Sequence, residues 1–145
     1  MHIPPGAAPG LILQKELSVR VDCIFLIVCS LLVPLTMVAV GIVFLRRPPK
    51  KANHTFGYRT ALSMKNQQTW DAAHKLCGGR WLQMGLPLLG VTLIIMLCLF
   101  DEGPESMANA LMILVAVQLC LMMTTIPAVE KQLHRLFDEN GSPRR

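Results

Sequence analysis

Residues Cys23–Leu45 read CIFLIVCSLLVPLTMVAVGIVFL, 23 positions without a charge. A helix rises about 1.5 Å per residue, so this run is long enough to cross a hydrocarbon core of about 30 Å. Two further runs share the property, Trp81–Phe100 and Met107–Val129. Backbone buried in lipid must satisfy its own hydrogen bonds, and helices follow. The expected fold is therefore an all-α membrane protein with three transmembrane helices. Composition agrees: 52% of the 145 residues are hydrophobic and 16% charged, with mean hydropathy +0.46. A soluble unit of this size has too little interior to hide that much apolar surface.

Working outward from the first run, Pro34 sits near its middle and predicts a kink, because proline removes a backbone donor and crowds the preceding turn. Ahead of it, Met1–Asp22 is an amino-terminal tail with a Pro/Gly-rich opening, and Leu11–Val21 within it reads as a short interfacial helix. The run is too long for a cleaved signal and is followed by Arg46-Arg47, so cleavage is not expected. The membrane module is expected over 23–137, with a short carboxyl tail at 138–145. Between the second and third runs lies DEGPES, Asp101–Ser106, a tight turn that makes those helices antiparallel neighbours.

Charge sets the orientation. Arg46–Arg80 carries Arg46, Arg47, Lys50, Lys51, Arg59, Lys65, Lys75 and Arg80 against Asp71, whereas DEGPES carries three acids and no base. Basic loops stay cytoplasmic, so the amino terminus is expected outside and the carboxyl terminus inside. The cluster Arg46, Arg47, Lys50 and Lys51 sets topology and also attracts anionic lipid headgroups, by about 1 kcal/mol per charge near the surface.

The loop at 46–80 holds the specific polar chemistry. Ser63 reads as a helix N-cap and Gly78 as the residue that ends that helix, which leaves a cytoplasmic interfacial helix between the first and second spans. Asn66, Trp70, Ala73 and Cys77 share one of its faces, suited to the membrane interface. Before it, Gly57 permits unusual backbone and Arg59 offers a planar fork for carboxylate or phosphate oxygens. Two readings stand. Either these residues form a ligand site, or Arg59 and Asn66 bond helix-end carbonyls while Tyr58 and Trp70 anchor at the interface. His74 and Cys77, with His54 nearby, make half a metal site at most, so no metal is expected. No nucleophile–base pair, phosphate loop or carboxylate dyad is visible, and no cofactor is expected.

In the third run, Asn109 and Gln118 are placed to hydrogen-bond across helices. No ionisable residue lies inside any run, which disfavours a proton relay or charge-driven carrier. Val129–Phe137 places Val129, Leu133, Leu136 and Phe137 on one side of an amphipathic helix on the inner surface, ended by Asn140-Gly141. The five cysteines have irregular spacing and read as small packing groups.

The frame GYRTxxSxxNxxTW, formed by Gly57, Tyr58, Arg59, Thr60, Ser63, Asn66 and Trp70, is followed by paired glycines and a closing EKQLHRLFDENG. It resembles the signature of the SdpI-like family of toxin-immunity membrane proteins, over roughly 39–141, and this chain reads as a short three-helix member. The namesake protects a sporulating bacterium from its own secreted toxin and holds a transcriptional repressor at the membrane. It also carries additional spans ahead of this module, where the present sequence has Met1–Asp22. The resemblance implies a multi-pass bacterial inner-membrane protein with the seven motif positions as its binding residues; the absence of catalytic groups adds that it is not expected to be an enzyme. Its expected partners are the bilayer and a peptide toxin or envelope ligand, with no nucleic acid. The alternatives are a tether for a soluble transcriptional regulator, or a small transporter or lipid-processing enzyme.

Overall fold

The computed structural model describes residues 9–49 and 57–144. The first residues of the expected tail, together with Lys50, Lys51 and His54, lie outside the described residues. Three long helices make up the architecture: α1 Pro9–Arg46, α2 Gln67–Cys98 and α3 Pro104–Leu136, with a short 3-10 turn, Phe100–Glu102, between the last two. All three are long and apolar enough to cross a membrane. The expected all-α membrane fold is present.

Several boundaries differ from the sequence expectation, for a common reason: the helices run on past their apolar runs. Leu11–Val21 is not a separate interfacial helix but the beginning of α1, which spans 38 residues and continues through Pro34. Gly78 does not end a helix. The segment expected to lie in the interface and the second span are one helix of 32 residues, capped at Asn66 rather than Ser63. Likewise Val129–Phe137 is no detached surface helix, because α3 continues through Pro127 to Leu136. At 1.5 Å per residue the helices reach about 50 Å, longer than an apolar core of about 30 Å.

Gly78 is buried because α1 and α2 approach closely there. A Cβ on Gly78 would lie 2.9 Å from the Gly41 carbonyl oxygen and 2.9 Å from Phe44 Cβ, and one on Gly85 would lie 3.1 Å from Met37 Cβ. Lipid gives apolar helices no reason to prefer each other over acyl chains, so close backbone approach between small residues is what holds such pairs together.

One polar node ties all three helices. Pro34 has no N–H, so the Ser30 carbonyl one turn earlier lacks its normal helical donor. Gln118 Nε2, from α3, donates to that carbonyl at 3.2 Å and to Thr92 Oγ1 of α2 at 2.9 Å. All three residues are fully buried. The expected cross-helix role of Gln118 is therefore realised, and Pro34 supplies its reason. Gln118 Oε1 has no partner among the described residues. Asn109 instead lies exposed on the outer surface of α3.

The bundle has two distinct ends. Near the acidic turn, Cys23 of α1 packs with Met96 and Met107. At the opposite end, Phe44 packs with Cys77 and Val129, and the loop at 57–66 sits among them. Of the five free cysteines, Cys23 and Cys77 are the buried packing groups expected, whereas Cys98 and Cys120 are exposed on the outside of the bundle.

Candidate functional site: the clasp at the motif end

The loop enters at Gly57, whose φ of +132° falls where side chains are disfavoured. A Cβ there would lie 2.6 Å from His74 Nε2 and 2.9 Å from Trp70 Cη2. Glycine is thus required twice over, by backbone angle and by space. The next amide, Tyr58 N–H, donates to His74 Nε2 at 3.0 Å. His74 Nδ1 lies 2.7 Å from the Trp70 carbonyl oxygen. A carbonyl only accepts, so Nδ1 carries the proton and Nε2 is left to receive the Tyr58 amide.

His74 lies ahead of the uncharged run of α2, fully buried, with its ring centre 4.4 Å from that of Trp70 and 4.7 Å from that of Phe44. Burial lowers its pKa, against a smaller raising effect of the Trp70 carbonyl. The neutral imidazole acts here as a two-ended hydrogen-bond pin. Both ring nitrogens are engaged, which argues against the half metal site with Cys77. Burial also pushes the Cys77 thiol up to about 12, so it stays protonated.

Tyr58 crosses to α3, its hydroxyl donating to the Ile126 carbonyl at 3.1 Å. Burial, reinforced by Glu130 nearby, holds this phenol well above its usual range. Thr60 and Ser63 then close a tight turn on themselves. Thr60 N–H donates to Ser63 Oγ at 2.7 Å, and Ser63 Oγ donates towards the Tyr58 carbonyl at 3.0 Å. Ser63 is fully buried; its hydroxyl shapes the loop instead of starting the helix.

The helix start belongs to Asn66 and Thr69. Thr69 N–H donates to Asn66 Oδ1 at 2.9 Å, and Asn66 N–H donates to Thr69 Oγ1 at 3.1 Å, a reciprocal box that satisfies two otherwise orphaned donors. Asn66 Nδ2 reaches the Gly141 carbonyl at 2.7 Å. The chain after α3 has folded back to offer it: Asp138 Oδ1 accepts from the amides of Asn140 and Ser142, and Gly141 turns with φ of +83°. Leu133 and Phe137 pack against Leu62 and Ala73 beneath this contact.

Trp70 is not an interfacial anchor. It is fully buried, and its Nε1–H donates to the Pro49 carbonyl at 2.7 Å. Of the face Asn66, Trp70, Ala73 and Cys77, expected in the interface, Trp70, Ala73 and Cys77 are buried, Cys77 against Phe44 of α1 and Val129 of α3, while Asn66 stays exposed.

The seven motif positions are thus brought together, and each takes part in contacts within the fold. Of the seven, Arg59 and Asn66 are exposed, and both ends of the Asn66 amide are engaged. His74 is the residue that sequence reasoning missed, having weighed it only as half a metal site at most and set that reading aside. Its four-residue spacing from Trp70 was the available signal, since one helical turn brings a ring nitrogen beside the earlier carbonyl.

A model of the SdpI/YfhL protein family matches residues 50–129. The chain belongs to the SdpI/YfhL family. A relative, the "Uncharacterized protein YfhL" of Bacillus subtilis (strain 168), is 29% identical over 108 residues, covering 74% of this chain and 88% of the relative. No solved structure matches the chain. The SdpI/YfhL match takes in the motif, α2 and most of α3. The tail that Asn66 grips lies beyond the matched residues, after the end of α3.

Proposed function

We propose that this protein is a non-enzymatic, multi-pass protein of a bacterial inner membrane that protects the cell from a secreted peptide toxin or senses an envelope ligand. Its amino terminus is outside, and the motif loop and carboxyl tail are cytoplasmic, following the charge of the loops. Membership of the SdpI/YfhL family supports the reading. The observation that carries it is the inward turn of the motif: Tyr58, Thr60, Ser63, Asn66, Trp70 and His74 direct polar groups to one another and to backbone. A catalytic site keeps its nucleophile or acid–base groups turned towards a substrate. A clasp of this kind instead fixes one arrangement of three helices and a loop.

Within this reading, Arg59 is the motif residue assigned to a ligand, because it is exposed and its fork matches anionic oxygens. A second reading, a tether for a soluble regulator, is favoured by the exposed cations Arg46, Arg47, Lys65 and Lys75 at the same end.

The test is deletion of the gene followed by exposure to peptide toxins from related strains. Sensitivity should rise on deletion and return to normal with the wild-type gene. Arg59→Lys should reach normal membrane abundance and yet fail to protect. Unchanged toxin sensitivity, together with release of a soluble regulator from the membrane, would favour the tether.

A further inference from the structure

The end of α1 and the beginning of α2 form two walls of an open groove of roughly 770 Å³, lined by Arg46, Arg47, Pro48, Pro49, Gln67, Asp71 and Lys75. We propose that this groove binds a phosphate group, that of a phospholipid headgroup or of a soluble phosphate ester. The proposal narrows the general attraction of headgroups to the basic cluster after the first span into a built site. It does not depend on the immunity reading.

Three observations carry it. First, the groove is shaped in advance. Pro48 and Pro49 form a stiff wall, and the Pro49 carbonyl is stapled at 2.7 Å to the indole of fully buried Trp70. Arg47 is drawn into the last turn of α1, its N–H donating to the Val43 carbonyl at 2.7 Å. A wall fixed from inside the fold loses little freedom when a ligand arrives.

Second, the charges fit an anion. Arg46, Arg47 and Lys75 supply three cations against the one carboxylate of Asp71, a net +2. One oxygen of that carboxylate is engaged, because Asp71 Oδ1 accepts from Gln67 Nε2 at 2.8 Å. Gln67, Asp71 and Lys75 are spaced by four, so they stand in one stripe along α2. The two arginines face that stripe from the other wall, and guanidinium forks suit phosphate oxygens in a bidentate manner.

Third, the depth is right for a headgroup. Arg46 follows directly on the uncharged run that ends at Leu45. Cations at that position reach the level of lipid phosphates while their stems stay against acyl chains.

The experiment uses the full-length protein in detergent, with native mass spectrometry after addition of phosphatidylglycerol, phosphatidylcholine, or soluble glycerol phosphate. The variants are Arg46→Gln, Lys75→Gln and Lys65→Gln. Lys65 is exposed at the same end but does not line the groove, so it matches the charge change of Lys75 without touching the site. We expect phosphatidylglycerol to bind over phosphatidylcholine. Arg46→Gln and Lys75→Gln should each weaken it about fivefold, the factor for about 1 kcal/mol per charge, with Lys65→Gln within twofold of wild type. Asp71→Asn should strengthen binding, and Arg46→Lys should weaken it despite the retained charge. Competition by millimolar glycerol phosphate would identify a soluble ester as a ligand; its failure would leave the lipid as the source. Equal loss in Lys65→Gln and Lys75→Gln, or no preference for phosphatidylglycerol, overturns the proposal.

Discussion

Replacing Gln118 with Leu separates the polar node from the packing around it. The two side chains have similar volume, so little void is created. What is lost are the donations to the Ser30 carbonyl at 3.2 Å and to Thr92 Oγ1 at 2.9 Å. Interhelical bonds of this type average about 0.6 kcal/mol in membranes. The Ser30 carbonyl adds a further cost, because Pro34 denies it a helical donor and a buried acceptor left unmade costs about 1–3 kcal/mol. Removing the unpartnered Gln118 Oε1 offsets part of this. The net expectation is about 1–2 kcal/mol of destabilisation.

A second substitution makes the reasoning refutable. Pro34→Ala restores the N–H that the Ser30 carbonyl lacks. In that background Gln118→Leu should cost only about 0.5 kcal/mol, so the two changes should couple by about 1 kcal/mol. Packing losses from shortening the buried Pro34 occur in both arms of the cycle and cancel. The assay is reversible unfolding in mixed micelles by increasing dodecyl sulfate, followed by fluorescence of Trp70 and Trp81. Additivity within about 0.3 kcal/mol would refute the idea that Gln118 stands in for the missing proline amide.

Gly57→Ala should destabilise the protein by about 2 kcal/mol or more, since it places a methyl 2.6 Å from His74 Nε2 at a φ of +132°; the same unfolding titration checks it. Gly78→Ala should loosen the α1–α2 contact, where the new methyl would lie 2.9 Å from the Gly41 oxygen, and disulfide trapping between cysteines placed in those helices should become slower. The lowered pKa of His74 means the unfolded chain binds a proton more readily than the folded one. Stability from this group is therefore complete above the ordinary histidine range near pH 6.5 and declines as pH falls below it. His74→Gln should flatten that acid limb of the stability profile. In a cysteine-free background, a membrane-impermeant maleimide added to intact cells should label Ser106→Cys and miss Lys65→Cys; the opposite pattern would invert the proposed orientation.

The three apolar runs by themselves determined the fold class, because uncharged stretches of this length have no other stable form in a bilayer. DEGPES likewise determined the antiparallel pairing of α2 and α3. The same one-dimensional reading misjudged the helix ends. Ser63 and Gly78 carry the right chemistry for caps, but local chemistry offers several candidates and tertiary contacts choose between them. Asn66 won because Thr69 answers it and the folded-back tail offers the Gly141 carbonyl, a partner 75 positions away. Gly78 stayed helical because Gly41 of α1 lies against it. Trp70 reads as an interfacial indole from its neighbours in sequence, but Gly57, Pro49 and His74 lie against it in the fold. The motif frame named the residues that meet, and long-range packing gave His74, an apparent half metal site, its part as the pin between loop and helix. Spacing along a chain reports neighbours within one element; which elements then cover a face is decided by contacts the chain makes only once it is folded.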